Sequence, residues 1–295
     1  MQVLVTGGTG FVGTHLCREL EDRGHDVTAL SRSGEDEGLP GGVSVVQGDV
    51  TEPESLAAPM ADQDVVVNLV ALSPLFQPDG GDRMHERVHL QGTRNVLAAA
   101  EDAGVDAIVQ MSALGADPEG PTAYIRAKGR AETAVRDSSL DWTIVRPSVI
   151  FGEGGEFVRF TRVLTTPYLS ALPGGGSTRF QPIWIGDLAP MLAAAVEADS
   201  HRGETYDIGG PEALTLAEIA RLVYESEGKS LSVLPVPMSL TGIGMRLAEP
   251  LPFVPFGVDQ YRSLHFDNTT VKNDVSAFGV DEADLMTVAE YLAGG

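Results

Sequence analysis

Tyr124 and Lys128, four residues apart in a chain of 295, are the pair whose types and spacing could move a proton. They stand in Tyr124-Ile-Arg-Ala-Lys128, where the pattern predicts a helix running to about Asp137, and a separation of four puts both side chains on one helical face. A phenol alone titrates near ~10, too high for a base near neutrality, and an ammonium beside it stabilises the phenolate. Ser112, at the end of an expected strand, has a hydroxyl that could donate to a substrate oxygen. A tyrosine and a lysine at this spacing are more often an ordinary surface pair. Against that stands the scarcity of lysine: only Lys128, Lys229 and Lys272 occur in the chain, and one of them fills this position.

A second set of residues suits a different task. In Met1-Gln-Val-Leu-Val-Thr-Gly-Gly-Thr-Gly-Phe-Val-Gly13, the apolar run Val3 to Val5 predicts a buried strand. From Phe11 onward the spacing of Phe11, Val12, Leu16 and Leu20 predicts a helix. Glycines therefore sit where a strand becomes a helix: Gly7 for a tight turn, Gly10 for close approach of backbone to a pyrophosphate, Gly13 for helix packing. The N–H groups of the helix start would face the phosphates. This is the pattern of a dinucleotide site.

The elements that must position these residues alternate. Strands are expected at Asp26–Leu30, Val43–Gln47, Asp64–Val70 and Ala107–Met111, with a long helix from about Met84 to Ala103. Such alternation implies an α/β fold, a doubly wound parallel sheet. Ligands there gather beyond the carboxyl ends of the strands, where Gly7 to Gly13, Arg32, Asp49, Asn68 and Ser112 all fall. Arg32, just past the second strand, is placed to meet an adenosine ribose. An arginine there suits a 2′-phosphate, which favours NADP(H) over NAD(H), although Glu35-Asp36-Glu37 stands close by and a solvated loop charge is the plainer alternative. Gly48-Asp49-Val50 is a turn that would border the adenine.

Together these motifs resemble the short-chain dehydrogenase/reductase superfamily in its extended or atypical branch, the epimerase/dehydratase-like proteins. The resemblance runs through Thr6 to Gly13, Gly48-Asp49, Asn68-Leu-Val-Ala71, Gly92-Thr93-x-Asn95-Val96-Leu97, the Ser112/Tyr124/Lys128 set and Arg146-Pro-Ser-Val-Ile-Phe-Gly152. It continues in Gln181-Pro-Ile-Trp-Ile-Gly-Asp187 and Tyr206-Asp-Ile-Gly-Gly-Pro211. Met111-Ser-Ala-Leu-Gly-Ala-Asp117 and Asp259-Gln260 are most similar to the subgroup of the NADPH-binding accessory subunit of respiratory complex I. The resemblance implies Tyr124 as general acid/base, Lys128 as its modulator and ribose ligand, and Ser112 as substrate-oxygen donor. It implies cofactor contacts from Gly7, Gly10, Phe11, Val12, Gly13, Arg32, Asp49, Val50, Ala71 and Lys128, with Pro147 and Val149 near the nicotinamide. One position departs from the family pattern: His89 stands where many extended members carry asparagine.

Two functions follow as expectations. One is an NAD(P)-dependent oxidoreductase or epimerase-like enzyme that transfers hydride between nicotinamide and a small-molecule carbonyl or alcohol. The other is a non-catalytic, NADPH-holding structural or assembly protein of a respiratory NADH dehydrogenase complex. Residues 1–152 and about 178–208 are expected to form the dinucleotide-binding domain. Residues 153–177 and 209–295 would form a smaller, mostly helical substrate lobe, with Asp187 capping one helix and a Thr215/Glu218 capping box opening another.

Composition narrows the partners. Forty-two acidic against 20 basic residues leave a formal net charge of −22, which disfavours nucleic acid and anionic membrane. An acidic, lysine-poor surface suggests a salt-loving source, since concentrated salt screens its self-repulsion. No run approaches the ~18 apolar residues of a membrane span, and Met1 opens straight into the first strand, so a cytoplasmic location is expected. The apolar segment 231–257 is expected to cover a small-molecule crevice, or else to make peripheral contact with a membrane complex. The histidines show no metal-ligand spacing, Cys17 is the single cysteine, and no metal is expected.

Overall fold

A computed structural model describes residues 1–35, 38–239 and 258–294. The apolar runs become strands β1 (Gln2–Thr6), β2 (Asp26–Ser31), β3 (Ser44–Gln47), β4 (Val65–Asn68), β5 (Ala107–Met111) and β6 (Asp141–Pro147). After them come β7 (Ile150–Phe151), β8 (Tyr168–Pro173), β9 (Arg179–Phe180), β10 (Ile183–Trp184), β11 (Glu204–Ile208), β12 (Leu214–Thr215) and β13 (Leu231–Val236). Seven of these form one sheet in the order β11-β6-β5-β4-β1-β2-β3. The ladders from β3 across to β6 are all parallel. This is the doubly wound α/β sheet expected from the sequence. Its strand order reverses at β1, which has β2 on one side and β4 on the other, the position at which such sheets open a crevice.

Helices α1 (Phe11–Asp22), α2 (Gly92–Ala103), α3 (Ala123–Arg136), α4 (Phe157–Leu164), α5 (Ile185–Glu197) and α6 (Leu216–Ser226) connect the strands. β4 and β5 are buried along their whole length, as strands covered on both faces must be. Leu4, Leu30, Val66, Val96, Ala100, Ile108 and Ile144 close one apolar core around them. Thr122 caps α3, its hydroxyl accepting from the Ile125 N–H at 3.2 Å, which fixes Tyr124 in the first turn. Ahead of α2 the chain is already helical from Arg83, but residues Glu86–Gln91 form a π-turn.

The chain divides into two compact units: residues 1–72, 83–146 and 185–206, and residues 73–82, 147–184 and 207–295. The second has its own core of Phe151, Phe157, Leu172, Phe180, Leu216, Ile219 and Val288. Thr215 and Glu218 make both bonds of the capping box before α6. β13 pairs in parallel with β8 over six residues. That pairing was not legible in the Pro-rich sequence, because the partner strand lies some sixty residues away. Two further details differ from expectation. Phe180 to Ile185, which reads as one strand in the sequence, is split between β9 and β10, and α5 starts at Ile185, so Asp187 sits in its first turn and does not cap it. Of the apolar segment 231–257, residues 231–236 are β13 and 240–257 lie outside the described residues.

Candidate active site

The glycine turn follows β1 directly. Gly7 has φ +74°, a left-handed conformation that a side chain resists. A Cβ on Gly13 would collide with the Gly7 carbonyl oxygen and with Gly8, so this glycine is required by the loop itself. A Cβ on Gly10 would meet only the Gly7 oxygen, at 3.2 Å. Gly10 is the N-cap of α1, and the first intrahelical bond is made by the Thr14 N–H to the Gly10 oxygen at 2.9 Å. The N–H groups of Phe11, Val12 and Gly13 precede that bond and point out of the helix start. The first turn contains no acidic residue in a chain with 42 of them. These features fit a pyrophosphate.

Parallel pairing brings the other strand ends to the same edge of the sheet. Arg32 follows β2 at the surface, and its carbonyl accepts from Gln47 Nε2 at 3.0 Å. Asp49 Oδ1 accepts from the N–H and hydroxyl of Thr51, both at 2.8 Å, which shapes the turn after β3. Val50 is buried, with its carbonyl held by Asn95 Nδ2 at 2.8 Å, and a Cβ on Gly92 would press into its side chain. Ala71 is exposed beyond β4.

Across β1, β4 and β5 the register aligns Thr6, Asn68 and Gln110 in one row. Thr6 donates to Asn68 Oδ1 at 2.7 Å, and Asn68 Nδ2 donates to Gln110 Oε1 at 2.9 Å and to Thr93 Oγ1 at 3.2 Å. Gln110 Nε2 in turn reaches the Met111 oxygen at 3.1 Å. That carbonyl also accepts from Lys128 Nζ at 3.0 Å. A buried polar network thus runs from the end of β1 to the helix lysine. Sequence reading placed Asn68 in the crevice, carried Thr6 and Thr93 only as motif residues and missed Gln110. The signal was present, since a polar residue near the end of a strand as apolar as Val65–Asn68 or Ala107–Met111 needs a partner.

Ser112 follows Met111, and its N–H donates to the Val145 oxygen at 2.7 Å. Among the described residues its buried hydroxyl has no hydrogen-bond partner. Lys128 Nζ lies 6.0 Å from the centroid of the Tyr124 ring. Tyr124 is packed edge-on against His89 of the π-turn at 5.3 Å and His85 just before it at 5.6 Å, and these stack on each other at 5.5 Å. His89 Nε2 accepts from the Leu72 N–H at 3.4 Å, and its Nδ1 is buried with no partner among the described residues.

The electrostatics differ from the expectation of a lowered phenol. Burial pushes the Tyr124 phenol well above its ordinary range. Burial also brings the Lys128 ammonium down to about 8, against the opposing pull of Glu132. His89 is held well below 6.5 by burial, then by Lys128 and His85, and is neutral at pH 7. Pro147 ends β6 and Val149 follows in the second unit, where the Val149 N–H donates to Asn268 Oδ1 at 3.1 Å. Cys17 is buried and its thiol is pushed up to about 12, consistent with a packing role.

A parallel sheet in this order with a glycine turn after its first strand defines a dinucleotide-binding fold. Residues 7–166 match the NAD(P)H-binding family, and the chain belongs to that family. It is 30% identical over 98% of its length to NADH dehydrogenase [ubiquinone] 1 alpha subcomplex subunit 9, mitochondrial, of Arabidopsis thaliana, covering 75% of that protein. It is 27% identical to the NAD(P)H azoreductase of Xenophilus azovorans, over 82% of each chain. Its fold matches a nucleoside-diphosphate-sugar epimerase from Staphylococcus aureus with a TM-score of 0.76, at 21% identity over 99% of this chain and 100% of the other. The family is thus one of NAD(P)H-binding proteins.

Proposed function

We propose that the protein is an NADP-dependent reductase of a small-molecule carbonyl. The observation that carries this reading is the Lys128–Met111 bond, which ties the helix bearing Tyr124 to the strand end bearing Ser112, whose buried hydroxyl is unpartnered among the described residues. The turn from Gly7 to Gly13 would hold the pyrophosphate, Asp49 and Val50 the adenine side, Arg32 a 2′-phosphate, and Lys128 the ribose. A bound nicotinamide dinucleotide supplies the hydride. Ser112 Oγ donates to the substrate oxygen and orients it. Tyr124, kept as a neutral phenol by burial, is poised as an acid and gives its proton to that oxygen as it becomes an alcohol. The ammonium of Lys128 stabilises the phenolate left behind.

NADPH and NADH titrations followed by calorimetry, with oxidation assayed on quinones, ketones and nucleotide sugars, test the reading. Tight NADPH binding lost in Arg32→Ala, with turnover abolished in Tyr124→Phe, supports it. A second reading is a cofactor-holding structural subunit of a respiratory complex. The similarity to an NADH dehydrogenase subunit along almost the whole chain favours it. Tight NADPH binding without turnover on any substrate, or a cellular role that survives Tyr124→Phe, would select it.

A further inference from the structure

Helix α3 has an acid-base residue at every fourth position of one face: Tyr124, Lys128, Glu132 and Arg136. Glu132 is 1% exposed, a buried carboxylate that the chemistry above does not use. Arg146 on β6 grips it with two nitrogens, Nε meeting Oε1 at 2.7 Å, and Arg136 reaches Oε2 at 3.0 Å. A forked guanidinium on a carboxylate is the geometry that fixes it in place. Lys128, one turn nearer the tyrosine, is 2% exposed and has its ammonium on the Met111 carbonyl, a dipole and not a counter-ion.

We propose that Glu132, clamped by Arg146 and Arg136, is the counter-charge that keeps Lys128 an ammonium, and is therefore a positioning residue for the Tyr124–Lys128 pair. A buried ammonium is held in the charged form only when something repays its desolvation. The groups around Lys128 divide cleanly. On its own helix stand Tyr124, a neutral phenol, and Glu132, an anion. On the π-turn segment stand His89, which is neutral, and His85 stacked behind it. On β5 stands the Met111 carbonyl, and on β6 Arg146, whose charge is engaged by Glu132. Glu132 is the anion among them, and its pull on Lys128 is upward.

This inference deepens the reading of the same site, and its test does not need turnover. The chain has only three lysines, so lysine labelled with carbon-13 at Cε gives three signals. Lys229 and Lys272 lie at the surface, with side chains 40% and 83% exposed, and serve as references. In the full-length protein, Glu132→Gln is expected to lower the Lys128 titration midpoint by about one pH unit or more, the size of a charge-charge interaction at effective dielectric ~20 over a helical turn. Arg146→Met removes a cation and is expected to shift the midpoint the other way. Opposite shifts support the proposal, because general loosening of the helix would move both variants together. An unchanged midpoint in Glu132→Gln, or shifts of one sign in both, overturns it. Should Glu132→Gln not fold, an unchanged or lowered midpoint in Arg146→Met overturns it alone. If the wild type turns over, the alkaline limb of its pH profile moves down in Glu132→Gln. If no turnover is found in any variant while the titration shifts appear, the catalytic reading falls and this one stands.

Discussion

The two units treat buried polar groups differently. In the second unit they are tied off: Ser148 Oγ donates to Asn268 Oδ1 at 2.7 Å, and Asn268 Oδ1 also takes the Val149 N–H. Gln181 gives its Nε2 to the Gly210 oxygen at 2.9 Å and takes the Thr270 N–H at 3.0 Å. In the first unit Ser112 Oγ and His89 Nδ1 are buried without partners among the described residues, and Lys128 is an ammonium with a lowered affinity for its proton. Fully satisfied groups specify a fold, whereas groups left short specify a place for something else. The difference teaches where function lies more directly than any glycine count does.

Mutations on either side sharpen that contrast. The largest effect belongs to Tyr124→Phe, expected to cut turnover by about 10²–10⁴-fold with NADPH affinity kept, read in steady-state kinetics beside calorimetry. Equal loss of binding would make the tyrosine structural. Next, Asn268→Ala should cost about 1–2 kcal/mol in urea unfolding, because it takes the acceptor from the Val149 N–H, while the Ser148 hydroxyl keeps the Asn268 main-chain oxygen. Ser112→Ala should change stability by less than about 0.5 kcal/mol while slowing turnover ~10²-fold. If both serine and asparagine variants lose stability alike, the contrast between the units is broken.

The lysine gives the pH arm of the comparison. Its folded value of about 8 lies below its free value of 10.5, so the unfolded chain binds the proton more tightly between those limits. The penalty is fully present below pH 8 and fades as pH rises toward 10.5. Lys128→Met should therefore be more resistant to urea than the wild type at pH 7, with the advantage gone by pH 10.5. The smallest effect is Thr215→Ala, which removes the cap of α6 and should lower stability by about 1 kcal/mol without touching cofactor affinity.

Much of this was legible in residue order because it depends on local rules. Glycine spacing after an apolar run, the Tyr124–Lys128 interval and the Thr215–Glu218 box are each decided within one turn of chain. What escaped depends on distant partners. Lys128 was read as the cation that lowers the phenol, but its ammonium bonds to a strand carbonyl and burial raises the phenol instead. Residues 231–236 were expected only as part of an apolar cover, yet they pair with β8, where the missing N–H of Pro235 is tolerated at a sheet edge. Arg146 was read as part of a motif, while its grip on Glu132 joins two elements that sequence spacing does not relate.

The π-turn before α2 acts as a correction of phase. Residues 85, 89, 93 and 97 are all buried, at steps of four, which is longer than a helical turn. In a plain α-helix twelve residues at 100° each would leave Leu97 about 120° around the axis from His85. The one residue absorbed by the wide turn removes about 100° of that, leaving the two about 20° apart. The histidines against Tyr124 and the side chains that seat the helix on the sheet can thus share a single line, and deleting one residue of the wide turn other than His89 would leave eleven residues of plain α-helix with the two ends still about 20° apart, so the segment is read as a one-residue insertion that the wide turn absorbs.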